Sequence, residues 1–145
     1  MNFREFMPLA ERLAQENSEA NWRTSISRAY YAAFHVACEF MASHGFDVPK
    51  ADRAHGYLWL RLQNCGYAEV VQAGRTLKDL RTHRNRADYE KQITMTQQDA
   101  EKYLVDARAI VTALDGSARG KAARQITDAI KKYERDVLKE VTWRA

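Results

Sequence analysis

The stretch Leu77–Tyr89, LKDLRTHRNRADY, decides how the rest of the chain is interpreted. Apolar residues recur through it at helical spacing, which predicts a helix face formed by Ala73, Leu77, Leu80 and Ala87. Arg84 falls on the same face, so we expect its guanidinium to lie against packed protein or a cleft. A guanidinium keeps its charge in proteins, and it therefore needs hydrogen-bond acceptors in that position.

Polar groups follow Arg84 within little more than one helical turn. We interpret them as the lining of a polar site, whose candidate catalytic residues are Arg84, Asn85, Asp88 and Tyr89. An ordinary explanation stays open, because Arg84 and Asp88 are four residues apart. That spacing also produces simple helical ion pairs, which contribute about 0.3–0.5 kcal/mol.

The composition indicates one ordered domain of the all-α class. The chain has 145 residues, 46% of them hydrophobic, with only two prolines and six glycines. No apolar run reaches the roughly 18–20 residues that a membrane span requires, so we predict no membrane segment. The N-terminal sequence MNFREFMPLAER predicts no signal peptide, and Cys38 and Cys65 have no metal-ligand spacing. We therefore expect a reduced, cytoplasmic setting.

Helical periodicity and its interruptions predict six helices. We place them at residues 3–16, 19–44, 55–63, 67–90, from the N-cap Thr96 to Gly116, and 118–142. The sixth would have a narrow apolar stripe formed by Ile126, Ile130, Tyr133, Val137 and Val141. Residues 117–145 contain eight basic and four acidic residues and so account for the whole net charge of +4. A basic excess of this size favours anionic partners without identifying one.

The sequence lacks the familiar catalytic signatures: a glycine-rich phosphate loop, HExxH, CxxC and GxSxG. The four histidines have no local metal-ligand spacing, and we predict neither a metal nor a cofactor. Arginines bind phosphate oxygens through two parallel hydrogen bonds, and tyrosines stack on unpaired bases. These groups favour single-stranded RNA or a nucleotide as the ligand, with candidate RNA-binding residues Arg28, Tyr31, His35, Arg81 and Arg86. Packing in the core is the alternative role for Tyr31, and a structural hydrogen bond is the alternative for His35.

Three segments carry a family resemblance: SISRAYYAAFHVACEFM (25–41), LRTHRNRADYE (80–90) and DAEKYLVDARAIVTAL (99–114). In this order they resemble a HEPN domain, most closely the small stand-alone HEPN-like proteins. The resemblance implies an up-and-down bundle of four to five helices over residues 1–116, with an extra basic helix in the C-terminal extension 117–145. It also implies a symmetric homodimer in which the polar motifs of the two subunits line a shared cleft.

Many HEPN proteins are metal-independent ribonucleases of toxin–antitoxin or phage-defence systems, and some are paired with a nucleotidyltransferase antitoxin. Their hallmark is an arginine, a polar residue, and a histidine four to six residues after the arginine. Arg84 and Asn85 match this pattern, but Tyr89 stands at the commonest histidine position and residues 85–91 contain no histidine. His35 on the predicted second helix would substitute only if the fold brings it to Arg84.

Two functional hypotheses follow from the resemblance. The first is a toxin–antitoxin or phage-defence protein that acts on RNA as a metal-independent endoribonuclease at a dimer cleft. The second is a non-catalytic HEPN module that binds RNA, a nucleotide or a partner protein, such as a co-encoded nucleotidyltransferase antitoxin. A third reading is a purely structural dimer module.

Overall fold

Helix α2 lies at the centre of the fold, in a computed structural model that describes residues 1–144. Along the chain, the helices are α1 (Phe6–Ala14), α2 (Glu19–Ser43), α3 (Arg53–Gln63), α4 (Ala68–Tyr89), α5 (Gln97–Gly116) and α6 (Gly120–Tyr133). Helix α2 packs against α1, α3, α4 and α5. Its buried alanines Ala29, Ala33 and Ala37 have small side chains, so these neighbours can approach its backbone closely.

The all-helical class predicted from the sequence is confirmed, since the described residues contain helices, turns and one isolated β-bridge between Phe46 and Trp143. The predicted cap of α5 is also present. The Thr96 hydroxyl accepts a hydrogen bond from the Asp99 amide, and the Asp99 carboxylate accepts one from the Thr96 amide. A 3₁₀ turn, Phe3–Glu5, precedes α1. Within residues 1–144, no helix is long and apolar enough to span a membrane.

The prediction that the sixth helix continues to residue 142 is wrong. Helix α6 ends at Tyr133 and passes into one π turn, Glu134–Leu138, after which Lys139 adopts a left-handed conformation with φ of 57°. Ile126 and Ile130 join the apolar core as their spacing predicts, but Val137 and Val141 are exposed. The division of the chain near residue 117 stays a prediction.

The end of α6 is determined by Glu134, whose side chain is completely buried although it is charged. Its Oε2 accepts a hydrogen bond of 2.6 Å from Nε of Arg61, and its Oε1 accepts one of 2.8 Å from the amide of Thr142. The Thr142 hydroxyl contacts both Glu134 Oε2 and the Tyr57 hydroxyl at 2.6 Å. The carboxylate therefore joins α3 to the C-terminal segment, which must leave the helical path to reach it.

We expect Glu134→Ala to lower the free energy of unfolding by about 3 kcal/mol, because it leaves the buried Arg61 guanidinium without its counter-charge. Urea unfolding followed by circular dichroism measures this change. Asp136→Ala is the matched control, since Asp136 pairs with Arg135 in solvent. We expect it to change stability by no more than about 0.5 kcal/mol. Equal losses in the two variants would contradict a structural role for the buried pair.

Gly74 allows α4 to pack closely on α3. A Cβ atom at this position would lie 2.9 Å from Leu62 Cβ and 3.0 Å from the Gln63 backbone nitrogen. These close neighbours belong to α3 and not to the central helix α2. By contrast, a Cβ at Gly56 in α3 would meet nothing nearer than Trp59 Nε1 at 3.9 Å.

The two glycines therefore predict opposite effects of substitution by alanine. Gly56→Ala should raise the melting temperature, because alanine favours a helix interior by about 1 kcal/mol over glycine. Gly74→Ala should lower it, because overpacking costs about 1–3 kcal/mol and exceeds that gain. Thermal unfolding of both variants tests the contact of Gly74 with Leu62 and Gln63. A higher melting temperature in both variants would show that α3 and α4 do not pack this closely.

Candidate functional site

Arg84 lies on the buried face of α4, as its place in the apolar stripe predicts, and only 7% of the residue is exposed. Leu80 and Ala87 on either side of it are buried too. The guanidinium carbon lies 5.5 Å from the ring centroid of Tyr30 and 5.2 Å from that of Tyr31. Both rings belong to α2, so the cation is held between α4 and the central helix at distances that allow cation–π attraction.

The acceptors around Arg84 do not satisfy its guanidinium. Its Nη1 atom lies 3.5 Å from Oδ2 of Asp88, which is longer than the 2.7–2.9 Å typical of a charged hydrogen bond. The Nε atom is buried and has no partner among the described residues. The Asp88 carboxylate also accepts a hydrogen bond of 3.3 Å from the Ser27 hydroxyl. The helical ion pair considered from the spacing is therefore present, but it leaves donors of the arginine available to a ligand.

Two further arginines lie near Arg84. Arg28 of α2 donates to the Ser27 hydroxyl at 3.3 Å, and its guanidinium carbon is 5.2 Å from the centroid of Tyr31. Arg81 of α4 has a buried Nε atom with no partner in residues 1–144. Tyr31 thus has two guanidinium groups, those of Arg28 and Arg84, each 5.2 Å from its ring centroid.

Other residues of the predicted site lie apart from Arg84. Tyr89 is 77% exposed, and neither its hydroxyl nor its ring makes a recorded contact with the described residues. Arg86 forms an exposed pair with Glu90 at 3.3 Å. Asn85 is half-buried, and its amide has no hydrogen-bond partner in the part of the chain that the structure describes. The structure therefore groups Arg84 with Asp88 but leaves Tyr89 and Arg86 on the outer side of α4.

The predicted substitute histidine, His35, does not contact Arg84. Its ring stacks on Phe3 with a centroid distance of 3.8 Å and an interplanar angle of 11°. Burial, together with the positive charge of Arg28, lowers the pKa of His35. His83, which precedes the arginine, stacks on Tyr103 and contacts its hydroxyl at 3.1 Å. Both histidines therefore take part in local aromatic packing.

The histidine beside the arginines is His55 of α3, which is not among the candidate site residues predicted from the sequence. Its Nδ1 atom is hydrogen-bonded to the hydroxyl of Tyr30, and its ring stacks on Phe34 at 4.6 Å. Burial and the positive charges of Arg81 and Arg84 lower the pKa of His55 to about 4, so its ring is neutral at pH 7. No periodic pattern could indicate that α3 brings this residue to α2. We call Tyr30, Tyr31, His55, Arg81, Arg84 and Asp88 the Arg84 cluster.

The hydrogen bond between Tyr30 and His55 has one favoured direction. Burial raises the pKa of Tyr30, so its hydroxyl keeps its proton, and the hydroxyl has no other recorded partner. It therefore donates to Nδ1, which satisfies both buried groups and leaves the histidine proton on Nε2. His55 is thus a neutral donor through Nε2–H.

A cleft of about 410 Å³ adjoins the Arg84 cluster and is lined by Tyr31, His55 and the loop that precedes α3. A larger groove of about 730 Å³ lies between α4 and α5, but none of its lining residues belongs to the cluster. Of these two, only the smaller cleft shares lining residues, Tyr31 and His55, with the Arg84 cluster. Among residues 1–144, no group of three His, Cys, Asp or Glu side chains is placed to hold a metal ion.

The comparison with known families agrees with this geometry. The model of the HEPN domain family matches residues 4–117, and the chain therefore belongs to the HEPN family. Membership in this family indicates a function that involves nucleotides or RNA. No curated protein and no solved structure matches the chain.

The depressed pKa of His55 predicts how stability depends on pH. The unfolded chain, with an ordinary histidine pKa near 6.5, binds this proton at a higher pH than the folded chain does. The neutral His55 therefore stabilises the folded state fully above about pH 6.5, and this contribution is lost as the pH falls toward 4. Urea unfolding at pH 7 and pH 5 should show that the free energy of unfolding falls less in His55→Gln than in the wild type. An equal fall in the free energy of unfolding in the two proteins would contradict a neutral buried His55. Some pH dependence should remain in the variant, because the pKa values of His35 and His83 are lowered too.

Proposed function

We propose that this HEPN protein binds single-stranded RNA at the Arg84 cluster, as a component of a toxin–antitoxin or phage-defence system. The observation that carries the proposal is the buried Arg84 guanidinium, whose Nε has no partner among residues 1–144 and which lies beside two tyrosine rings. Phosphate oxygens are the acceptors that such a group lacks, and unpaired bases stack on tyrosines, for which Tyr31 is partly exposed while Tyr30 is buried. Arg28 and Arg81 add positive charge along the same surface.

Metal-independent cleavage of the bound RNA is the first candidate activity. It requires a base that takes the proton of a 2′-hydroxyl, an acid that protonates the leaving oxygen, and a cation that stabilises the pentacovalent phosphorane. Arg84 would be that cation in this proposal, with Asn85 and Asp88 as the polar groups that shape the site. This activity would be endoribonucleolytic and would persist in EDTA.

Non-catalytic binding of RNA is the second candidate, and two specific observations favour it. Tyr89, which stands in place of the family's histidine, is exposed and makes no contact with Arg84. His55 is close enough to respond to the charge of Arg84, but it offers an N–H and not a lone pair on its free nitrogen. A donor of this kind positions a ligand and does not remove its proton.

The proposed partners follow from the family. We propose a homodimer and, as a partner protein, a co-encoded nucleotidyltransferase antitoxin. Cytoplasmic location remains part of the same proposal, as the setting in which RNA of the host or of a phage is available.

The test is RNA binding and RNA cleavage by the wild type and by Arg84→Gln, which removes the charge but keeps a side chain of similar length. Fluorescence anisotropy with labelled single-stranded RNA should show at least a tenfold weaker affinity in the variant, since hydrogen bonds to charged groups contribute about 1.5–3 kcal/mol. The matched control is Arg75→Gln on the exposed side of α4, which removes the same charge. Its affinity should change by less than about threefold.

Denaturing gels of the same RNAs in EDTA separate the two candidate activities. Products that form with the wild type and vanish with Arg84→Gln support cleavage, whereas salt-sensitive binding without products, over several RNAs, supports the non-catalytic module. An RNA affinity that is the same in the wild type, Arg84→Gln and Arg75→Gln would overturn the proposed site.

A further inference from the structure

Helix α6 has an apolar side and a basic side. The apolar side packs against the rest of the domain, and its buried residues are Ala123, Ile126 and Ile130. The opposite side is exposed, and cations with helical spacing follow one another along it: Lys121, Arg124 and Lys132. We call these three residues the α6 basic face. At the usual helical rise they extend over about 16 Å along the helix axis, so one extended polyanion can contact all of them.

The cations of the α6 basic face are not neutralised by the protein. None of them lies within ion-pair distance of an acidic side chain in residues 1–144. Asp128 is four residues from both Arg124 and Lys132, yet it forms an ion pair with neither. By contrast, Arg135 of the following turn pairs with Asp136. The positive charge of the C-terminal segment is therefore presented to solvent on the exposed side of α6.

The burial of the apolar side decides which kind of anionic partner fits this face. A helix that binds a membrane surface inserts its apolar side among the lipids, but in α6 that side is already covered by the domain. A row of exposed cations requires only a matching row of negative charges, and a nucleic-acid strand carries one at every phosphate. The family of the chain also indicates a function that involves nucleotides or RNA. These observations favour a strand of RNA over a lipid surface.

Helix α3 connects α6 to the Arg84 cluster. His55, near the beginning of α3, belongs to the cluster, and Arg61, near its end, donates a hydrogen bond to Glu134, which directly follows α6. At the usual helical rise, His55 and Arg61 are about 9 Å apart along the axis of α3, which is less than two helical turns. An RNA strand that is held at the Arg84 cluster and extends beyond it can therefore reach α6.

We propose that the α6 basic face binds the phosphate backbone of the same RNA strand that the Arg84 cluster holds. The inference rests on the proposed RNA binding and adds to it a second contact region, which lies outside the matched HEPN residues 4–117. The contact is electrostatic, so it does not depend on the base sequence and weakens as the salt concentration rises. It adds to the affinity only when the strand is long enough to extend from Arg84 to α6.

The experiment uses two labelled oligouridines, a short one of four nucleotides and a long one of fifteen. The α6 variant combines Lys121→Gln, Arg124→Gln and Lys132→Gln, because glutamine removes the charge and remains a good helix former. Circular dichroism checks that its helix content is unchanged. In fluorescence anisotropy at about 0.1 M salt, the variant should bind the long RNA at least about tenfold more weakly than the wild type does. Its affinity for the short RNA should change by less than about threefold, since that strand does not reach α6.

The salt dependence of binding gives a second measurement. Each phosphate contact of a single strand contributes about 0.7 to the slope of log affinity against log salt concentration. For the long RNA, the slope should therefore be less steep by about 2 in the α6 variant than in the wild type. For the short RNA, the two slopes should be equal.

The matched control combines Arg75→Gln, Lys91→Gln and Lys102→Gln. These residues are exposed, form no ion pair with a described residue, and lie outside α6. The control removes the same number of lysines and arginines as the α6 variant does. Its affinity for the long RNA should fall by less than about threefold, because charges that are distant from the strand are screened at this salt concentration.

The outcomes separate this inference from the proposed function. A long-RNA affinity that falls in Arg84→Gln but not in the α6 variant would overturn the second contact region and leave the proposed function standing. Equal losses in the α6 variant and the control would also overturn it, since they would reflect net charge alone. Equal losses for the short and the long RNA would overturn the sharing of one strand.

A lipid surface is tested with vesicles that contain phosphatidylserine. Vesicle binding that is lost in the α6 variant, with an unchanged affinity for the long RNA, would show that the face binds lipid and would overturn the inference. A wild type that binds neither RNA would overturn the proposed function and the second contact region together.

Discussion

A guanidinium that cannot lose its charge is buried between α4 and the central helix, and much of the molecule is arranged around that constraint. Arg84 has a distant carboxylate and two tyrosine rings as neighbours, but its Nε has no close acceptor in the described part of the chain. Burial of a charged group without adequate partners is costly, and stable folds avoid it unless another requirement outweighs the cost. In the proposed function, a ligand that carries anionic oxygens meets that requirement, since it would supply the missing acceptors.

Burial and the same positive charge act together on the aromatic groups behind Arg84. Burial and the cations Arg81 and Arg84 lower the pKa of His55, so its ring stays neutral and its Nδ1 accepts a hydrogen bond from the Tyr30 hydroxyl. This hydrogen bond fixes both rings and places Nε2–H of His55 at the cleft. The Arg84 cluster thus combines a neutral donor with cationic ones. In the proposed function, such donors suit the binding of a phosphate better than they suit proton abstraction.

Local patterns in the sequence predicted the helices, the cap of α5 and the burial of Arg84, because each depends on residues within a few turns of one another. The placement of His55 could not be predicted in this way, since it depends on how α3 packs on α2. The prediction that the sixth helix continues to residue 142 is wrong for a related reason. Val137 and Val141 continue the apolar spacing of Ile126, but Glu134 is drawn to Arg61 on another helix, and this contact ends the helical path.

That departure from helical geometry connects the C-terminal segment to the cleft. The Asp47 amide donates to the carbonyl of Thr142 at 2.9 Å, and the Arg144 amide donates to the carbonyl of Gly45 at 2.9 Å. The Arg144 side chain also pairs with the Asp47 carboxylate at 2.6 Å. These contacts hold the beginning of the loop that continues through Lys50 and Asp52 to form one wall of the cleft. The segment that follows the matched HEPN region therefore contacts the start of the loop that forms this wall, and the buried pair of Arg61 and Glu134 holds the same segment through Thr142.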